Sequence, residues 1–306
     1  MLKAQNISFK YKTQYVLKNV SFEVKQGEHF SIIGESGSGK STLLKLLYGT
    51  YDLNEGKLFW KKQPILGPKF NLIIGPEYMK HVAQEFDLMP FTTVSENIGE
   101  FLSNFYPEEK QERIKELLEV VELTSVANVK VKELSGGQKQ RVALARAMAK
   151  QPEIVLLDEP FSHIDNFKKQ SLRRSLFKYL KDKNITCIVA THDKDDVLSF
   201  SDRMIVLHDA QILAQGTPKD LYGSPNHQLV ASFFGEFNEI NGQLVYASQL
   251  EIVEKSKLKA SVVQSYYKGS HYLIEVMLDG KSVFFEHPTA ITSKENIYLG
   301  VKANAL

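Results

Sequence analysis

The nine residues GESGSGKST, Gly34–Thr42, constrain this chain more than any other stretch. They follow the short apolar run HFSIIG and lead into KSTLLKLLYG, whose leucine spacing predicts a helix ending at Gly49. A strand that enters a glycine loop and leaves as a helix is the start of a mononucleotide-binding α/β core. In that context the pattern G-x-x-x-x-G-K-[ST] builds a polyphosphate cradle. Glycines at 34, 37 and 39 let the backbone curl round the anion without Cβ clashes, and successive amides through Ser36, Ser38 and Thr42 point inward. Lys40 supplies a point charge for the β- and γ-phosphates, and the Ser41 hydroxyl is a ligand for Mg²⁺.

Two further β-branched runs, EIVLL and ITCIVA, look like central parallel strands, and the helix NFKKQSLRRSLFKYLKDK between them lines up Leu172, Leu176 and Leu180. The first run ends in Asp158 and Glu159, at the carboxyl edge where open α/β sheets bind ligands. Next to a phosphate loop, Asp158 suits the hydration shell of the metal. Glu159 suits the attacking water, which it would orient or deprotonate. The second run ends at His192, which at a neighbouring strand tip can donate to a γ-phosphate. Gln84, in HVAQEFDLMPF, is a neutral side chain able to touch metal or water. Spacing alone leaves both of these also readable as surface residues.

A second glycine element, LSGGQKQRVALARA at Leu134–Ala147, opens a helix with exposed amides at Ser135, Gly136, Gly137 and Gln138. One nucleotide cannot be served by both elements of one chain if the first already fills the sheet edge. The second element is therefore expected to face outward and reach the γ-phosphate held by a twin molecule docked head-to-tail.

Around these motifs, Ile7, Phe9 and Tyr11 alternate, as do Val20, Phe22 and Val24, which predicts antiparallel strands. Ile114, Leu117, Leu118 and Val121 predict an amphipathic helix from Pro107 to Leu123. After FFGEFNEINGQ the helical pattern stops, and KASVVQSYYK, HYLIEVML and KSVFFEH follow with GS and DG turns. The expected division is an ATP-binding domain over 1–235, with a helical subdomain at about 85–135, and a small β domain over 236–306. The 306 residues carry 38 basic and 36 acidic side chains, too balanced for a dedicated nucleic-acid binder. Cys187 has no partner cysteine and reads as a small core side chain in a reducing compartment. Without an apolar stretch of about 20 residues or a signal peptide, the chain is expected in the cytosol, reaching a membrane only through partners.

In this order the motifs resemble the ATP-binding subunit of ABC transporters over about 1–238. GESGSGKST is similar to the Walker A motif, LSGGQKQRVALARA to the family signature, EIVLLDEP to Walker B and THD to the switch histidine. The resemblance implies that Gln84 is the Q-loop glutamine, touching metal and water, and that Asp165 ends a D-loop crossing the dimer interface. It matches Tyr11 to the aromatic that stacks on adenine, where a strand-core role is the alternative. The fold it implies is an α/β P-loop NTPase core of the ABC type with an antiparallel β subdomain and a helical subdomain, then an OB-like, TOBE-like β domain. The activity implied is ATP hydrolysis with Mg²⁺ by a homodimer at the cytoplasmic face of the inner membrane. It would power solute transport, import rather than export, through two permease subunits docked near Gln84–Tyr106 with an extracytoplasmic substrate-binding protein. A non-transport ATPase of the same type, acting on ribosomes or DNA, is the alternative; the single cassette and near-neutral charge weigh against it. The closer likeness is to the iron(III), polyamine, sulfate and sugar importers. Departures are His163-Ile164 in the D-loop, Ala210 at a turn where glycine is common, and Glu35 where proline often stands. The last puts a carboxylate beside the phosphate loop. The β domain either senses substrate or only holds the dimer together.

Overall fold

The computed structural model describes residues 1–302, and these divide into two compact units, 1–217 and 218–302. In the first, β1 (Leu2–Lys10), β2 (Tyr15–Val24), β3 (His29–Gly34) and α1 (Lys40–Leu47) follow in the expected order. Then come β4 (Glu55–Trp60), β5 (Gln63–Pro64), β6 (Met79–Val82), α2 (Val94–Gly99), α3 (Pro107–Val120) and α4 (Gly136–Met148). The unit is completed by β7 (Ile154–Asp158), α5 (Asn166–Asp182), β8 (Thr186–Ala190), α6 (Lys194–Phe200), β9 (Arg203–His208) and β10 (Gln211–Gly216).

Two sheets organise this unit. An antiparallel sheet runs β2-β1-β4-β5, and a six-stranded sheet runs β10-β9-β3-β8-β7-β6, parallel except for β10. The central strands are buried on both faces, as continuous apolar runs require. Their alternation decides which core each side chain joins: Ile154, Leu156, Ile188 and Ala190 pack with α1 and the antiparallel sheet. Val155, Leu157, Cys187 and Val189 face the other way, against α3, α4 and α5. Cys187 is wholly buried there, and that burial pushes its thiol pKa far up, which leaves it a packing residue.

The second unit comprises α7 (Pro218–Gly223), α8 (Gln228–Phe234), the hairpin β11 (Phe237–Ile240) and β12 (Gln243–Tyr246), and five antiparallel strands. These are β13 (Leu250–Val253), β14 (Leu258–Tyr267), β15 (Tyr272–Leu278), β16 (Lys281–His287) and β17 (Asn296–Val301), ordered β13-β17-β14-β15-β16. The division falls after Thr217, not near Gly235 as the composition shift suggests. Tyr222 of α7 stacks on Tyr246 of β12 at 4.7 Å and meets Phe234 of α8 edge-on, so both helices pack with the hairpin. The cue at Gly235 marks the end of α8, inside a unit already begun.

Two local features carry testable costs. Between β9 and β10 the turn places Asp209 and Ala210 at φ 45° and 63°, both left-handed, where the Cβ of alanine crowds the backbone. His29, at the start of β3, is 2% exposed, and burial pulls its pKa from 6.5 down to about 4. The unfolded chain therefore takes up that proton first as pH falls. The contribution is intact above pH 6.5 and declines as pH drops through the folded-state value.

We expect Ala210→Gly to stabilise the first unit by up to about 1 kcal/mol, read as a higher urea midpoint. We also expect His29 to cost about 3 kcal/mol between pH 6.5 and 4. Urea melts of His29→Phe across that range should show a shallower pH slope, and an unchanged slope would remove His29 from the account.

Candidate nucleotide site

The phosphate loop spans the gap between β3 and α1. Gly39 is the N-cap of α1 at φ 100°, and a Cβ there would lie 2.9 Å from the Val16 carbonyl, so only glycine fits. The first-turn amides of Lys40, Ser41 and Thr42 have no acceptor inside the helix and are free for an anion. The Lys40 ammonium donates to the carbonyls of Gly34 at 2.8 Å and Glu35 at 2.9 Å, closing the loop on itself. Burial lowers the Lys40 pKa, opposed by the Glu159 and Asp158 carboxylates. Ser38 Oγ is buried without a hydrogen-bond partner.

The six-stranded sheet delivers the acidic groups. Asp158 pairs with Ala190 of β8, and Ala190 with Ile32 of β3, so the three strand ends share one row. Asp158 is 5% exposed; burial raises its pKa, and hydrogen bonding to Ser41 pulls the other way. A carboxylate and a hydroxyl in contact, beside free amides and an ammonium, are the donor set of a Mg²⁺-triphosphate, so ATP and Mg²⁺ fit the residues present.

Glu159 is one step beyond the strand and has φ 51°, a left-handed conformation for a residue followed by Pro160. Its amide donates to the Ala190 carbonyl at 2.9 Å. Its carboxylate lies 2.7 Å from His192 Nδ1, while the His192 ring is otherwise largely open to solvent. The loop carrying His192 is held from behind by Arg173 of α5, 1% exposed, which pairs with Asp193 and Asp196. Burial pushes the Asp196 carboxyl up to about 6 despite the guanidinium and the Thr191 hydroxyl, which donates at 2.8 Å.

A cleft of about 480 Å³ brings together Tyr11, Ser36, Gly37, Lys40, Ser41, Thr42, Gln84, Glu159 and His192. Tyr11 stands just past β1, 55% exposed, edge-on to Phe9 and Tyr51, with its hydroxyl 3.2 Å from Thr42 Oγ1. The strand-core alternative for Tyr11 falls with that exposure. Gln84 sits on the loop after β6, exposed at the rim.

The signature residues are not in that cleft. Ser135 caps α4, its hydroxyl accepting from the Gln138 amide at 3.3 Å while the Gln138 side chain accepts from the Ser135 amide at 2.9 Å. Ser135 and Gly136 are exposed, and Asp165 is exposed at the start of α5. Gly137 lets the backbone come close: a Cβ there would meet the His163 carbonyl at 2.6 Å.

Sequence reasoning passed over Gln140 and Arg173. Gln140 is 1% exposed on α4, in the buried i, i+4, i+8 row with Leu144 and Met148, where a glutamine among apolar neighbours is the signal. Its Nε2 donates to the Glu159 carbonyl at 2.9 Å, and its Oε1 accepts from the His163 amide at 3.1 Å. The charge of Arg173 gave no comparable cue, because its acidic partners lie twenty or more positions away.

Residues 17–162 match the family described as ABC transporter. The chain is 37% identical over 238 residues to the Fe(3+) ions import ATP-binding protein FbpC of Haemophilus influenzae, covering 77% of this chain and 68% of that one. It is also 37% identical over 247 residues to the spermidine/putrescine import ATP-binding protein PotA of Hahella chejuensis, covering 80% and 67%. Among solved structures, a dimeric ATP-binding cassette in a post-hydrolysis state with ADP and Pi matches with a TM-score of 0.64 at 32% identity, over 71% of this chain and 99% of that one. The chain therefore belongs to the ABC transporter family as one of its ATP-binding, ATP-hydrolysing subunits.

Proposed function

We propose that two copies of this chain close head-to-tail on two ATP molecules and that closure drives import through membrane subunits. The observation that carries the reading is a division within one protomer. Tyr11, Lys40, Ser41, Gln84, Glu159 and His192 share a cleft, whereas Ser135, Gly136, Gly137 and Asp165 stand outside it on an exposed helix start and loop. A twin molecule is the partner that makes both halves useful.

In the closed pair, Tyr11 turns from Thr42 to stack on adenine. The loop amides from Ser36 to Thr42 and the Lys40 ammonium, released from the two carbonyls, take the β- and γ-phosphates. Mg²⁺ bound by Ser41 and Asp158 would neutralise charge between those phosphates. Glu159 holds and polarises the attacking water, Gln84 touches it from the rim, and His192 donates to the γ-phosphate while fixing the Glu159 carboxylate. Ser135 and the Gly136 and Gly137 amides of the second copy close the γ-phosphate from the far side, and Gln138 shapes that tip through its hydrogen bond to the Ser135 amide. Asp165 stands where the two copies would meet.

The membrane subunits would dock on a groove of about 280 Å³ between the sheet and the helical segment, lined by Tyr48, His81, Phe86, Leu88, Phe101 and Arg146. Phe86, Leu88 and Phe101 of that lining fall within Gln84–Tyr106, and Gln84 at its start lines the cleft, so this segment would carry closure to the groove. Among the described residues no helix is long and apolar enough to cross a membrane, so in this reading the chain works at the cytoplasmic face beside two permeases and an extracytoplasmic binding protein. The relatives named as import proteins support import; balanced charge supports a partner set without nucleic acid.

Glu159→Gln is expected to lose roughly 100-fold or more in turnover. It should still form an ATP-dependent dimer on gel filtration; a monomer under saturating ATP would overturn the head-to-tail reading. Lys40→Ala should instead weaken ATP binding itself, measured by titration calorimetry, and an unaltered affinity would discredit the cradle.

A further inference from the structure

We infer that Gln140 is a positioning residue that ties the signature tip of each protomer to its own Glu159, so that gripping the partner's nucleotide sets the protomer's own water-activating carboxylate. The inference rests on the head-to-tail dimer proposed above.

The geometry begins with Glu159, whose left-handed backbone stands between β7 and Pro160. A non-glycine residue holds that conformation only where its surroundings enforce it. Its amide is held by β8 through Ala190. Its carbonyl is held by two donors: Gln140 Nε2 at 2.9 Å and Ser162 Oγ at 3.0 Å. Ser162 belongs to the exposed loop, but Gln140 is buried and rides on α4. Three residues earlier on the same face, Gly137 admits the His163 carbonyl, and Gln140 takes the His163 amide at 3.1 Å. One helical turn therefore clamps the His163 peptides at Gly137 and at Gln140, and the same glutamine reaches on to Glu159. A shift of the helix start against a second nucleotide moves the Glu159 carbonyl through one side chain. The consequence is rate, not affinity, since the hydrogen bonds of Gln140 go to Glu159, Ser162 and His163 and not to the phosphate loop.

The test is ATP hydrolysis by the full chain carrying Gln140→Met, which keeps length and helix preference but makes none of the hydrogen bonds to Glu159, Ser162 and His163. Displacing a reacting group by about 1 Å costs on the order of 100-fold, so kcat should fall at least tenfold with KM for ATP within about twofold. The Hill coefficient for ATP should fall toward one. Gln140→Glu keeps the acceptor for the His163 amide but loses the donor to Glu159, and it should fail to restore kcat. If Gln140→Met does not fold, Gln140→Glu carries the same kcat and Hill readings. Gln140→Met combined with Ser162→Ala should lose less than the product of the two single losses, because both hold one carbonyl. Wild-type kcat and cooperativity in a folded Gln140 variant would overturn the inference. A merely structural role would lower the unfolding midpoint and leave kcat per folded molecule unchanged, which equally overturns it. Dimer trapping of Glu159→Gln, with Gln140 intact, reports separately on the head-to-tail reading.

Discussion

The parallel pairing of β3, β8 and β7 is the constraint on which the site depends. Ile32, Ala190 and Asp158 stand in one row, and the chain leaves the sheet just beyond it. One strand ends in a glycine loop, one in a histidine and one in two carboxylates, so sheet register alone sets these groups side by side. Register in turn is locked by burial on both faces. Sliding β7 by one residue would exchange Ile154 and Leu156 with Val155 and Leu157 between two differently shaped cores. The precision of the polar site is thus inherited from apolar packing beneath it.

Polar contacts then refine what the sheet supplies. Behind His192, the buried Arg173 gathers Asp193 and Asp196, a cluster whose removal in part would strand a charge in the core. Beneath Glu159, two donors and one acceptor secure a strained backbone. Both arrangements spend polar residues inside the protein, where each unpaired group costs about 1–3 kcal/mol. That cost is consistent with a requirement for geometry in the loops, since apolar side chains cannot direct a carboxylate or an imidazole.

The cleft and the signature tip use opposite devices. In the cleft, side chains from several strands converge on one volume, while at the tip a capped helix start leaves Ser135 and Gly136 in the open. Gly137 and Gln140 join the two through the His163 backbone. In the head-to-tail reading proposed above, the two ends of this connection within the first unit would each be half of a site.

By itself the sequence determined the phosphate loop, the parallel strands, the acidic strand end, the helices at Pro107 and Asn166 and the hairpins of the tail. Each of these is written in spacing a few residues long: glycines for a tight loop, alternation for strands, a leucine row for helices. It also separated Ser135–Gly137 from the first cradle by counting what one nucleotide can use. Tertiary structure decided the rest. It alone exposed Tyr11, set His192 against Glu159, brought Arg173 to Asp193 and Asp196, and moved the division of the chain from Gly235 back to Thr217. Those outcomes depend on contacts between residues distant in the chain, and Gln140 is the clearest case. Its polarity is legible locally, but its partners Glu159, Ser162 and His163, 19 to 23 positions away, are chosen only when α4 packs beside the end of β7.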